Sequence, residues 1–162
     1  MNNTHTLRIK KDLYEIEVND KGEKIYFDMK DETLGEKIFK ALDDIDVKKK
    51  SFENKFNEII SKNNLEMKDV SKLSISTGVG KEIYLLRCEF YREARIILDS
   101  ILGENACQKI FGDTNYMDMY NDLAVGLKPH LEKMGFDIKS KQKKLMRDFQ
   151  NRRKNNFKKV IK

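Results

Sequence analysis

The sequence predicts an α+β fold: an N-terminal β-hairpin or small antiparallel sheet packed on a mainly α-helical body, followed by a basic C-terminal arm. Three observations carry this expectation. Apolar and polar residues alternate with period two through residues 14–18 and 24–28, around a turn sequence. From residue 34 onward apolar residues recur at helical spacing, and the chain is 37% charged, which suits long solvated helices. Finally, residues 136–162 hold eleven Lys/Arg against Asp137 and Asp148, a net +9, whereas residues 1–135 hold 22 basic and 25 acidic residues, a net −3. The expected organisation is therefore a body, residues 1–135, and an arm, residues 136–162. A segment with that charge excess is suited to an anionic or acidic partner.

The hairpin comes first. Tyr14, Ile16 and Val18 alternate with Glu15 and Glu17, and Ile25 and Phe27 alternate with Lys24, Tyr26 and Asp28. Asn19-Asp20-Lys21-Gly22 joins the two runs, with Gly22 free to adopt positive φ. Leu7 and Ile9 suggest a third, shorter strand. Two strands alone are marginal in water, so the hairpin must pack on the helices.

The helices follow. Thr33 and Glu36 have capping-box spacing, and Leu34, Ile38, Ala41, Leu42 and Ile45 form one apolar stripe. Lys48-Lys49-Lys50 is expected to break this helix, with Ser51 capping a second whose stripe is Phe52, Phe56, Ile59 and Ile60. Residues 74–80 read as a mobile loop. The most regular pattern spans residues 81–102, where Ile83, Leu86, Phe90, Ala94, Ile97 and Ile101 recur, widened by Tyr84, Cys88, Tyr91 and Leu98. Gly103 stands where a helix-terminating glycine belongs. A short helix from Asn105 to Phe111 should end at Gly112, and Asn115 should cap a last helix carrying Met119, Leu123, Leu127 and Leu131, kinked or ended by Pro129. Phe90, Ala94, Ile97, Ile101 and Phe111 are the expected core.

No catalytic constellation emerges, and the chain reads as a non-enzyme without cofactor or metal. His5 and His130 have no Cys, Asp or Glu at ligand spacing. Asp43, Asp44 and Asp46 lack the glycine and distal glutamate of a calcium loop and read as a solvated face. Gly78-Val79-Gly80-Lys81 departs from phosphate-loop spacing, with Glu82 where a hydroxyl residue is required. The two cysteines form no CxxC pair, which favours a reducing compartment, and Cys88 is expected to be a buried structural thiol. No signal-peptide pattern opens the chain, and no window approaches the length of a membrane span. A cytoplasmic location is the expectation. The candidate partner-binding residues are Arg147, Phe149, Arg152, Arg153, Lys154 and Phe157 in the arm, where cations and aromatics interleave.

Two segments resemble the tail assembly chaperones of long-tailed phages and prophages of Gram-positive bacteria. Tyr26–Ile45, YFDMKDETLGEKIFKALDDI, is similar to the opening of that family, where a hairpin ends in Phe-Asp, here Phe27-Asp28, and a helix with Glu36-Lys37 and Lys40-Ala41-Leu42 follows. Cys88–Leu123 resembles the family's long helix, turn, short helix and next helix, with Leu102-Gly103-Glu104 at the turn and Lys109-Ile110-Phe111-Gly112 closing the short helix. Asn105 replaces the second turn glycine of the family pattern. The matches cover about half the chain and consist of apolar residues and turns. The resemblance implies a non-enzymatic helper that binds and solubilises the tape measure protein during tail tube assembly, working with other tail proteins in the host cytoplasm. Self-association into a homo-oligomer is compatible with it. Two other readings are a nucleic-acid-binding accessory protein that uses the arm, and a structural tail component.

Overall fold

The computed structural model describes residues 8–136, and the chain divides into two compact units between Asn115 and Tyr116. The first unit contains β1 (Leu13–Glu17), β2 (Lys24–Asp28), α1 (Leu34–Lys62), α2 (Met67–Val70), α3 (Gly78–Leu102) and α4 (Ala106–Phe111). The second contains α5 (Met119–Lys133). An antiparallel hairpin packed on a mainly helical body is the expected fold class. The basic arm beyond Phe136 lies outside the described residues, as do His5 and Leu7.

The hairpin register sets Tyr14 opposite Phe27 and Ile16 opposite Ile25. Ile16, Ile25 and Phe27 are buried, while Leu13, Glu15, Glu17 and Tyr26 face solvent. The period of two thus separates a core face from a wet one. Gly22 takes φ +74°, as the turn requires. Asn19 organises the turn: its Oδ1 accepts from the Lys21 and Glu23 amides at 3.0 and 3.2 Å, and its Nδ2 donates to the Lys109 carbonyl of α4 at 2.8 Å. Lys109 Nζ in turn donates to the Lys24 carbonyl at 3.4 Å. Ile9 joins no strand and is strongly exposed.

One continuous 29-residue helix, α1, replaces the two expected around Lys48-Lys49-Lys50. Its buried residues, Leu34, Ile38, Ala41, Ile45, Phe52 and Phe56, follow a single stripe whose steps of four and three continue through position 48. Lys48 therefore falls at the border of the core face, where its ammonium meets Glu93 of α3 at 3.1 Å. Lys50 pairs with Asp46 one turn back at 2.7 Å. Lysine is a good helix former, so a basic run whose members find acceptors does not stop a helix, and Ser51 lies exposed inside it. The start also differs in its chemistry. Thr33 makes no capping bond; its hydroxyl and amide donate to Asp31 Oδ1 at 2.6 and 2.9 Å.

α1 and α3 form the main packing pair. Phe52 meets Phe90 with ring centroids 5.5 Å apart, while Lys48 meets Glu93. Sequence order thus runs oppositely along the two helices. α3 begins three residues earlier than expected, absorbing Gly78-Val79-Gly80. Gly80 is buried, and a Cβ there would lie 2.0 Å from the Ser74 carbonyl oxygen. That glycine belongs to a close approach between helix and loop, not to a phosphate cradle.

The buried stripe of α3 is Gly80, Ile83, Phe90, Ala94, Leu98 and Leu102. Ile97, Ile101 and Phe111, expected in the core, are only half-buried. Four-residue steps after Phe90 rotate the stripe by about 40° each, and the end of α3 turns its core face toward α4, whose Ala106 and Cys107 are buried. Cys88 is exposed, contrary to expectation; the buried thiol is Cys107. An apolar run of this length supplies more than one face, and Cys88 falls on the outer one.

Gly103 ends α3 with φ +105°, and Gly112 ends α4 with φ +58°. Asn105 precedes α4 in the left-handed region at φ +59°, a conformation that asparagine tolerates better than most residues. In the second unit, α5 starts after Asp118 rather than at Asn115. Tyr116 Oη donates to Asp122 Oδ2 at 2.7 Å across its first turn. Met119, Tyr120 and Leu131 are buried. Pro129 neither ends the helix nor stops it short of Lys133; proline costs one amide donor, and a helix can absorb that loss near its last turn.

Candidate interaction surface

The six sequence-predicted partner-binding residues, Arg147, Phe149, Arg152, Arg153, Lys154 and Phe157, all lie outside the described residues. The candidate surface of the described chain was missed by the sequence reading. It is the outer face of α3, where Tyr84, Leu85, Cys88 and Ile96 are exposed. Leu85 and Cys88 are three apart, and Leu85, Arg92 and Ile96 follow at seven and four, so they share one side of the helix. That side is opposite the stripe that meets α1. Leu85 is 54% exposed and Ile96 64%, large values for branched apolar side chains on the middle turns of a helix this long. Lys81 and Arg92 interrupt the stripe with cations. The signal was present in the sequence, because the apolar residues of 81–102 span more than one face.

Between α1 and α3, Lys48, Lys55, Glu89 and Glu93 surround a shallow groove floored by Phe52, Leu86 and Phe90. The charges are matched two against two, and Lys48 and Glu93 already satisfy one another. This groove has the character of a seam between helices.

A hydrogen-bond cluster closes the junction of α3, α4 and the following loop. Asp99 Oδ1 accepts from the Cys107 amide at 2.8 Å, and Cys107 Sγ lies 3.7 Å from the Arg95 carbonyl. Arg95 donates from Nε to Asn115 Oδ1 at 3.0 Å and from Nη2 to the Thr114 carbonyl at 2.8 Å, with its guanidinium 6.0 Å from the centre of the Phe111 ring. Burial, followed by the Asp99 carboxylate, pushes the Cys107 thiol up to about 12. A thiol held protonated is neither nucleophile nor metal ligand. The arrangement fastens a loop: Arg95 ties down the residues before α5, and Asn115 serves as its acceptor instead of capping that helix.

Asp31 is the described carboxylate with a pronounced shift, lowered to about 2 by the Lys37 ammonium at 2.6 Å and by the Thr33 hydroxyl and amide. It lies at the surface, where such a group orders a turn. Among the described residues no group of three or more His, Cys, Asp or Glu is placed to hold a metal ion, and no helix is long and apolar enough to cross a membrane. No protein-family model, curated protein or solved structure matches the chain.

Proposed function

We propose that this protein is a tail assembly chaperone of a long-tailed phage or prophage, which binds the tape measure protein and keeps it soluble in the host cytoplasm while the tail tube assembles. The observation that carries the reading is the outward apolar side of α3 bearing Leu85, Cys88 and Ile96, which runs into the segment, Cys88–Leu123, whose sequence resembles that family. A tape measure protein is long and helical, and an amphipathic helix needs an apolar strip to lie against. Isolated surface leucines are ordinary, but apolar residues that share one side of a helix make a strip on which a partner helix can lie. In this reading the arm contributes positive charge, with Arg147, Arg152 and Arg153 steering an acidic partner and Phe149 and Phe157 adding apolar contact.

Co-expression tests this. The wild-type chain should hold the tape measure protein in the soluble fraction and co-purify with it. Leu85→Glu with Ile96→Glu should abolish co-purification while leaving the chaperone folded. The +9 charge of residues 136–162 favours a second reading, a nucleic-acid-binding accessory. If Arg147→Ala, Arg152→Ala and Arg153→Ala together abolish salt-dependent DNA binding but leave the tape measure protein soluble, that second reading replaces the first. Stoichiometric presence in purified virions would instead mark a structural tail component.

A further inference from the structure

The solvent face of the hairpin is uncovered among the described residues. The register places Leu13, Glu15 and Glu17 of β1 and Lys24, Tyr26 and Asp28 of β2 on that face. Leu13 is 47% exposed and Tyr26 46%. They are diagonal neighbours across the strands, because Leu13 stands opposite Asp28 and Glu15 opposite Tyr26. Lys24 pairs with Glu15 at 2.7 Å. Glu17 lies at one end of the face and Asp28 at the other, and among the described residues neither is held in an ion pair. The side of α3 that bears Leu85, Cys88 and Ile96 has the opposite sign. Lys81 stands one turn before Leu85, and Arg92 one turn after Cys88. Both are exposed, and among the described residues neither is held in an ion pair. Glu89 and Glu93 line the groove beside α1 instead, and Glu82, two turns before Glu89, falls on their side of the helix.

We propose that the hairpin face of one copy lies on the Lys81–Ile96 side of α3 of a second copy, a head-to-tail contact between two different surfaces of the same chain. Length and charge both argue for it. Lys81 and Arg92 are about 16 Å apart along a helix that rises about 1.5 Å per residue. The strand from Leu13 to Glu17 runs about 13 Å. A helix laid along the hairpin therefore brings its two cations to the two acidic ends and sets Leu85 and Cys88 against Leu13 and Tyr26. Pairing each surface with itself does worse. Two α3 sides in parallel oppose Lys81 to Lys81 and Arg92 to Arg92, and antiparallel with their midpoints aligned they set Leu85 against Arg92. Two hairpin faces oppose acid to acid, and such like-charge juxtaposition works against association. A contact between unlike surfaces leaves one of each kind open and so repeats from copy to copy. It covers the side of α3 proposed above to receive a helical partner, so the two contacts exclude one another. It rests on the charge and spacing of these residues, not on the tail assembly reading, and either can fail alone.

Sedimentation of the full-length chain tests the contact by charge reversal. The wild type should associate at low salt and dissociate as salt rises. Glu15→Lys with Glu17→Lys should sediment as a monomer, and so should Lys81→Glu with Arg92→Glu. Mixing the two variants should restore association, because the first keeps the α3 side intact and the second keeps the hairpin face. Cross-linking locates the contact without reversing any charge: Tyr26→Cys should form an intermolecular disulfide to Cys88 under mild oxidation, and adding Cys88→Ser should abolish it. A wild type that is monomeric at low salt, a mixture that stays monomeric, or a cross-link that is absent or does not need Cys88 would overturn the proposal. So would association that survives either reversal; if it survives only the reversal on α3, the acidic face takes a different cationic occupant.

Discussion

Single side chains decide several features of this fold, and each carries a test. Gly80 has no room for a methyl group, since its Cβ would sit 2.0 Å from a backbone carbonyl. Gly80→Ala should shift the loop before α3 and lower stability by about 1–3 kcal/mol, as overpacking does, read as a lower denaturant midpoint. Phe90, 3% exposed and packed against Phe52 with the rings tilted, should cost roughly 3–5 kcal/mol when truncated to alanine; a loss well under 1 kcal/mol would mean the α1–α3 seam is wrongly drawn. The two thiols should separate cleanly. Cys88, exposed, should react with an aromatic disulfide reagent in the native state, while Cys107, pushed up to about 12, should react only after unfolding. Equal native rates would contradict the placement of Cys107. Asp31 is depressed to about 2 from its ordinary 3.8, so its contribution to stability is complete above pH 4 and is lost as pH falls toward 2. Asp31→Asn should therefore lower stability at neutral pH and flatten the acid limb of the stability profile below pH 4. An acid limb unchanged by the substitution would show that the Asp31 turn does not form.

Elements depend on their neighbours more than on their own composition. The hairpin is too small to stand alone, and the structure supplies its support at α4, through Asn19 to the Lys109 carbonyl and Lys109 to the Lys24 carbonyl. Asn19→Ala removes the turn's internal acceptor and this tether together. It should cost about 1–3 kcal/mol and raise amide exchange through residues 13–28 ahead of global unfolding; uniform exchange across the chain would argue that the hairpin is held by its buried face alone. α1 makes the same point from the other side. A run of three lysines reads locally as an interruption, yet Lys48 meets Glu93 and Lys50 meets Asp46, and the helix continues. The partner of Lys48 is 45 positions away on another helix, so no local window contains it.

At the scale of the whole molecule, the charge division separates a body near neutrality from a strongly basic end. Deleting residues 140–162 should leave the thermal midpoint within a few degrees, because that segment has few apolar residues and like charges that repel. Insoluble truncated protein would make those residues part of the fold. The Leu85→Glu and Ile96→Glu pair belongs at this scale too. Exposed substitutions usually change stability by no more than about 0.5 kcal/mol, so loss of partner binding with an unchanged melting curve would separate recognition from folding.

Periodicity and turn chemistry made the fold class readable from the chain alone. Alternation marked the hairpin and its buried Ile25 and Phe27, and the spacing of Leu34, Ile38, Ala41 and Ile45 marked the core face of α1. Gly22, Gly103 and Gly112 marked the ends of elements, since positive φ is cheap only for residues such as these. These are local properties, set by backbone sterics and by one face of one element. What the tertiary structure decided is everything that needs a second element. Packing against α4 turned the stripe of α3 from Ile97 and Ile101 to Leu98 and Leu102. Burial of Ile83 and Phe90 on the other side of α3 left Cys88 and Leu85 outside, and the buried thiol is Cys107 of α4. Hydrophobic burial is non-directional, so an apolar helix with residues on several sides specifies that one face will be covered, and only the neighbouring helices select which.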